Sequence, residues 1–293
     1  MNTPLTVLVS GATGNQGGAV ARALIARGHK VRAITRNTAS PAAKHLEALG
    51  AEVVQADMDN AQSIRQALKG VDTFYLMGSP IDGVEAETAQ GIALTNTAKE
   101  AGVGHLVYGS VANADLKTGV PHFDSKFKIE QHIKTLGIPY TISAPVFFMD
   151  NMTAPWSIDA LKDGKIVQAM PKDRMLQQIS VKNIGEFVTS LVERRESVFG
   201  KRYDIAGDEV TGESIAKIVT EQTKHPISYE SIPVSYVLEQ SEDMGLMFKW
   251  FDEVGYSVDI ESLHQEFTDV DWQDIAQWAQ SHDWGFLDSR KSA

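Results

Sequence analysis

A doubly wound parallel α/β sheet followed by a smaller α+β lobe is the fold class this sequence predicts, on three observations. An apolar run at residues 7–9 feeds a glycine-rich turn, and a helical pattern follows from Gln16 to about Arg27. Further short apolar runs recur, each separated from the last by a helix-length segment, which asks for parallel strands joined by right-handed crossovers. The chain has 293 residues, 43% of them hydrophobic, enough for one large core domain with a second lobe. We expect a first domain over 1–150 and a lobe over 151–293, with roughly 177–207 returning to the first domain.

The opening element carries most of the information. Glycines stand at 11, 14 and 17. Gly11 permits the tight strand-to-helix turn, Gly14 lets the backbone approach a pyrophosphate, and Gly17 lets the helix pack closely on its strand. A diphosphate over the helix N-terminus would meet free N–H groups and the positive end of the helix dipole. The turn therefore reads as a Rossmann-type dinucleotide cradle built from Gly11, Thr13, Gly14, Asn15, Gln16 and Gly17. The alternative is an ordinary βα turn; the strand before, the helix after and the place in the first element agree with the nucleotide reading.

The second run, 31–35, ends at Arg36. A fold selective for NAD carries a carboxylate there to hold the ribose 2′-OH, and no carboxylate occurs between Gly28 and Lys44. A guanidinium forks onto a 2′-phosphate that a carboxylate would repel. NADP(H) is the expected cofactor.

The remaining elements follow in order. Residues 42–49 read as a helix stopped by Gly50, 51–56 as a third strand ending at Asp57, 61–68 as a helix and 73–77 as the fourth strand. A long helix over 85–101 closes at Gly102 and Gly104, the fifth strand is 105–108, a helix covers 127–136, and the sixth strand is 140–143. In such sheets the ligand lies beyond the carboxyl ends of the strands. The expected cofactor wall is Asp57 and Met58 on the adenine side, then Met77, Gly78 and Ser110, then Pro145, Phe147 and Phe148 near the nicotinamide. Plain core packing would equally account for Met77, Phe147 and Phe148.

Composition removes several classes. There is no cysteine, so disulfides and thiolate chemistry are excluded. The eight histidines are scattered without metal-ligand spacing, so no metal site is expected, and no G-x-S-x-G elbow is present. A net charge of −11 with no dense basic run argues against nucleic acid. No apolar stretch is long enough to span a membrane and no secretory signal is expected, so the expected location is cytoplasmic.

After the fifth strand come Ser110 and then Pro121-His122-Phe123-Asp124-Ser125-Lys126, with Lys126 placed at or just before a helix start. The spacing of His122 and Lys126 is similar to the Tyr-x-x-x-Lys of short-chain dehydrogenases, with histidine at the tyrosine position. Together with Gly11-Ala12-Thr13-Gly14-Asn15-Gln16-Gly17-Gly18, Thr35-Arg36-Asn37 and the segment 144–151, this motif resembles the NmrA-like family, an atypical branch of the short-chain dehydrogenase/reductases. The resemblance runs to about residue 235. It implies a Rossmann domain with a smaller C-terminal lobe, usually NADP(H) binding, and one of two activities. Some members are reductases of quinones, triphenylmethane dyes or isoflavone-type substrates. Others sense NADP(H) without turning it over and regulate a protein partner. The family often has arginine before the proline after strand six, where this chain has Ala144.

Two readings result. In the first, the chain is an NADPH-dependent reductase of a small apolar or aromatic acceptor. Lys126 then orients the nicotinamide ribose, and His122 or Ser110 polarises the acceptor. A quinone or cationic dye needs little proton donation, whereas a ketone needs a general acid, which an imidazole supplies near neutral pH. In the second, the chain is a non-catalytic NADP(H)-sensing regulator acting through a protein partner. A loop histidine that merely caps or packs, and a solvated helix lysine, are the bland alternatives for His122 and Lys126. A homo-oligomer is compatible with either reading.

The lobe is the least legible part. Residues 179–181 read as a short strand, 183–194 as a helix, 201–207 as a further strand, and 211–223 as a helix capped by Thr211, with 227–230 pairing in the lobe. Residues 244–251 are rich in Met and aromatics, and four of the five tryptophans lie from Trp250 onward. That inventory fits a wall for a flat apolar substrate or a lobe that packs on itself. Trp272, Ile275, Ala276 and Ala279 stand at helical spacing and predict a packing stripe.

Overall fold

The computed structural model describes residues 3–78 and 83–292, with side chains through Asp288. The first part alternates as expected: β1 (Thr6–Val9), α1 (Asn15–Ala26), β2 (Lys30–Thr35), α2 (Pro41–Ala48), β3 (Glu52–Gln55), α3 (Ala61–Ala67), β4 (Thr73–Met77), α4 (Val84–Glu100), β5 (His105–Gly109), α5 (Pro121–Thr135) and β6 (Tyr140–Pro145). Then come β7 (Phe147–Phe148), α6 (Ile158–Lys162), β8 (Lys165–Gln168), β9 (Met175–Ile179), α7 (Val181–Glu193), α8 (Arg195–Val198), β10 (Arg202–Ile205), β11 (Asp208–Thr211), α9 (Gly212–Thr223) and β12 (Ser228–Ser231). Helices α10 (Val234–Gln240), α11 (Glu242–Glu253), α12 (Ile260–Glu266) and α13 (Ile275–Ser281) follow.

The main sheet has seven strands in the order β10-β6-β5-β4-β1-β2-β3, and its pairs are parallel. The order reverses between β1 and β4, which opens the crevice that receives a dinucleotide in doubly wound sheets. Strand alternation decides which face each residue serves. Val7 and Val9 pack with Val20 and Leu24 of α1 and with Phe187 and Leu191 of α7, whereas Leu8, Phe74 and Leu76 pack with Leu94 of α4 and Ile129 of α5. Of the segment 177–207, β10 joins the main sheet and α7 packs beside it, whereas the end of β9 belongs to a separate three-stranded sheet. Strand β10 pairs with β6, and α7 lies against α1 so closely that a Cβ on Gly185 would sit 2.6 Å from the Ala19 carbonyl oxygen. The lobe contributes the three-stranded β11-β9-β7 sheet and the β12-β8 pair, over a core that includes Met149, Leu161, Val219 and Trp278.

Three expectations need correction. Helix α5 begins at Pro121, six residues before the expected start, because proline at N1 is pre-set for the first helical turn. His122 and Lys126 are therefore both helical and one turn apart on one face. The strand expected at 179–181 is β9, which ends at Ile179. Ser180 is the N-cap of α7, accepting from the Asn183 N–H at 3.1 Å. The final stripe is only partly right: α13 starts at Ile275 behind an Asp274–Gln277 capping box and buries Ile275, Trp278 and Ala279. Ala276 is exposed, and Trp272 precedes the helix and stacks on His264 at 4.4 Å.

Candidate dinucleotide and active site

The glycine turn has the geometry its sequence asks for. Gly11 takes a left-handed φ of +60°, and its carbonyl accepts the Gly14 N–H at 2.9 Å. A Cβ on Gly17 would lie 2.4 Å from the Gly11 oxygen and 2.5 Å from that of Ser10, so only glycine lets α1 seat against the end of β1. Gly14 is the N-cap, with no side chain capping the helix and no acid in its first turn. The first N–H groups of α1 are left for a ligand. Thr13 and Asn15 are exposed beside them. Gln16 differs: its Nε2 donates to the buried Tyr75 hydroxyl at 2.9 Å, so that side chain is turned into the sheet end.

Past β2, Arg36 is exposed, and its guanidinium has no protein partner among the described residues. Asp57 is exposed after β3, its Oδ1 accepting the Asp59 N–H at 3.1 Å, and Met58 packs partly on the core. Met77 and Gly78 end β4. The Met77 N–H and carbonyl both bond the Ser10 hydroxyl, at 2.8 and 3.1 Å, which ties the ends of β1 and β4 together. Pro145 is buried at the end of β6, while Phe147 and Phe148 are half-buried.

Helix α5 carries the candidate chemistry. Lys126 Nζ donates to Oε1 of Glu87 on α4, a carboxylate whose side chain is fully buried, and the Ser125 hydroxyl donates to Oε2 of the same group. Gly78 leaves room for this: a Cβ there would lie 3.2 Å from Glu87 Oε1. One turn earlier, His122 Nδ1 meets Oδ1 of Asp243 at 2.7 Å, and the same oxygen accepts the His122 backbone N–H at 3.1 Å. Partial burial pushes the Asp243 carboxyl up, but the hydrogen bonds and charge of His122, with the more distant charge of Lys126, outweigh it and hold it below the usual carboxylate range. The ring is thereby oriented from Nδ1, which leaves Nε2 as the nitrogen open to a ligand.

Ser110 takes a different part. It is buried, and its hydroxyl donates to buried Glu130 of α5, which also accepts Arg202 Nε at 3.0 Å. Arg202 further bonds Asp204 and the Val111 carbonyl. The Ser110 proton is committed to this network, through an acid one turn beyond Lys126 on α5. Ala144 is fully buried in β6 and supplies no charge, and the guanidinium of Arg202 is spent on its own partners.

Helix α11 links the histidine to a pocket. From Asp243 it continues into Met244 and Phe248, which line a cavity of about 410 Å³ with Phe147, Met152, Trp156 and Val167. This is where the Met- and aromatic-rich segment 244–251 lies. Sequence reasoning missed Glu87 and Asp243. Each reads as an ordinary first-turn acid of a helix, and only the burial of Glu87 and the bond of Asp243 to His122, both against α5, mark them. Among the described residues no cluster of His or acidic side chains could hold a metal, and no helix is long and apolar enough to cross a membrane.

The fold and these motifs have known counterparts. An NmrA-like family domain-containing protein of Dictyostelium discoideum is 29% identical over 267 residues, covering 85% of this chain and 88% of its own. Among solved structures, the negative transcriptional regulator NmrA in complex with NAD superposes with a TM-score of 0.81 at 20% identity, covering 98% of this chain and 97% of that one. The triphenylmethane reductase of Citrobacter sp. complexed with NADP(H) superposes with a TM-score of 0.79 at 20% identity, covering 94% and 100%. The model of the NmrA-like family matches residues 3–279, and the chain belongs to that family.

Proposed function

We propose that this protein is an NADPH-dependent reductase of a flat apolar acceptor: a quinone, a dye or a conjugated carbonyl compound. The observation that carries the reading is the His122–Asp243 pair, one turn from Lys126 on α5, whose acid partner lies on α11, the helix that also lends Met244 and Phe248 to an apolar pocket next to Phe147. Residues 1–150 hold NADP(H), with the diphosphate on the turn 11–17 and the 2′-phosphate on Arg36. Asp57 and Met58 border the adenine. Met77, Gly78, Pro145, Phe147 and Phe148 wall the nicotinamide half, and the lobe from 151 onward faces the acceptor. The bound cofactor supplies the hydride. Lys126, fixed by Glu87, orients the ribose hydroxyls, and His122, fixed by Asp243, gives or takes a proton at Nε2. The likeness to the triphenylmethane reductase of Citrobacter sp. supports the same reading.

Arg36→Asp should weaken NADPH binding roughly a hundredfold, by loss of a charge-assisted fork and gain of repulsion, and leave NADH within a few-fold. Calorimetric titration of both nucleotides checks this, and an equal loss for the two would remove the 2′-phosphate role of Arg36.

Purified protein assayed for NADPH oxidation against quinones, triphenylmethane dyes and enones tests the activity. Asp243→Asn should lower kcat for enones by about tenfold or more, since general acid catalysis contributes ~100-fold or more, while sparing cationic dyes that need no proton. A uniform effect on every acceptor would deny His122 the acid role. Saturable NADPH binding with no turnover would instead favour the second reading, an NADP(H) sensor acting on a protein partner. The observation on its side is that Lys126 is engaged by Glu87, and the likeness to the negative transcriptional regulator NmrA agrees with it.

A further inference from the structure

Arg36 is not the only unpaired guanidinium near the glycine turn of this acidic chain. Arg22 of α1 is exposed and has no hydrogen bond or ion pair among the described residues. It lines a cavity of about 400 Å³ together with Thr13, Gly14 and Asn15. The same arginine borders a larger cleft of about 580 Å³ between α1 and α7, and the two cavities share Asp150, Val181 and His282. The other cations of that cleft are spent. Arg27 is held by Glu193 at 2.9 Å and Asp269 at 3.2 Å, and Lys182 by Glu186 at 3.0 Å and Asp271 at 2.8 Å. Asp150 turns one oxygen to the Val181 N–H at 2.8 Å.

The sequence of α1 explains how Arg22 reaches the turn. Positions 14, 18 and 22 share one helix face, and the first two are glycine. Helical side chains lean toward the N-terminus, so this arginine lies along a lane with no side chain in it. Its Nη1 is 3.1 Å from where a Cβ on Gly18 would stand. Any larger residue at 18 would crowd the guanidinium away from Gly14.

We propose that Arg22 is a second phosphate-binding residue of the nucleotide site, donating to the diphosphate common to NADPH and NADH. This rests on the dinucleotide reading above. The two arginines then divide the ligand: Arg36 reads the 2′-phosphate, and Arg22 holds the bridge without distinguishing the two cofactors.

Titration calorimetry of Arg22→Gln and Arg36→Gln against NADPH, NADH and 2′-AMP tests the assignment. Arg22→Gln should lower affinity for NADPH and NADH by the same factor, about tenfold, and leave 2′-AMP unchanged. Arg36→Gln should weaken NADPH and 2′-AMP and spare NADH. Arg22→Lys should recover part of the loss, because it keeps the charge without the fork. Thermal melting of Arg22→Gln should match the wild type, since the side chain holds nothing in the fold. Wild-type affinity for both dinucleotides in Arg22→Gln would overturn the proposal while leaving the cofactor reading intact. Inorganic phosphate binding to wild type alongside saturating NADPH, and lost in Arg22→Gln, would make Arg22 a separate phosphate site and also overturn it. A wild type that binds neither dinucleotide would bring down the cofactor reading itself, and this proposal with it.

Discussion

Lys126→Ala should cost about 3–5 kcal/mol of folding stability in addition to any loss of turnover. The reason is Glu87. Its carboxylate is fully buried, with one oxygen on Lys126 and the other on the Ser125 hydroxyl. Removing the ammonium strands a buried negative charge on a single neutral donor. Lost activity in this variant therefore does not by itself place Lys126 on the ribose. The double variant Glu87→Gln/Lys126→Met removes both charges at similar volume. It should regain most of the stability while remaining inactive, because neither side chain can orient a ribose. Urea unfolding of the three proteins at pH 7, beside NADPH oxidation, reads both quantities. A Lys126→Ala protein as stable as wild type would mean that the Glu87 carboxylate does not need its cation.

Acid should destabilise this protein through His105 well before its carboxylates titrate. The ring is fully buried in β5, with Nε2 on the Thr141 hydroxyl at 2.9 Å and Phe199 edge-on at 5.0 Å. Burial, reinforced by the charge of Arg195, pushes its pKa down from the ordinary 6.5 to about 3. The depressed value means the native ring stays neutral while the unfolded ring takes a proton. The stability from the neutral ring is whole above pH 6.5 and is lost progressively as pH falls from there toward 3. At 1.36 kcal/mol per unit, this group alone removes about 2–3 kcal/mol between pH 7 and pH 4.5. His105→Gln keeps a polar contact for Thr141 and does not titrate, so its stability should fall much less over that range. Parallel slopes for the two proteins in urea unfolding at a series of pH values would show that His105 does not carry the effect.

Much of the main domain was legible in the residues. Six strand runs and the helices between them follow from apolar patterning and glycine stops, and 201–207 reads as a further strand. Errors fell where local signals compete. The helix expected from Phe127 starts at Pro121, and Ser180 reads as strand but caps α7. The candidate site divides the same way. Gly11, Gly17 and Arg36 stand out because their roles depend on neighbours a few residues away. Gln16, read from the glycine-turn motif, turns its amide to Tyr75, and Ser110, read from its place at a strand end, turns its hydroxyl to Glu130, and neither partner is visible in the local sequence.

The alternation of strands and helices, the glycine turn and the charge at the end of β2 are thus written in contiguous sequence, because backbone sterics, apolar periodicity and local charge act over one or two turns of chain, whereas the order of the strands in the sheet is set by long-range pairing. The pairs that shape the candidate chemistry are not written locally either. Lys126 meets Glu87 across 39 residues and His122 meets Asp243 across 121. No local pattern distinguishes those two acids from the other 36 in the chain. Their burial and their partners come from how α4 and α11 pack against α5, and it is that packing which turns ordinary helix-start carboxylates into the groups that hold the lysine and the histidine.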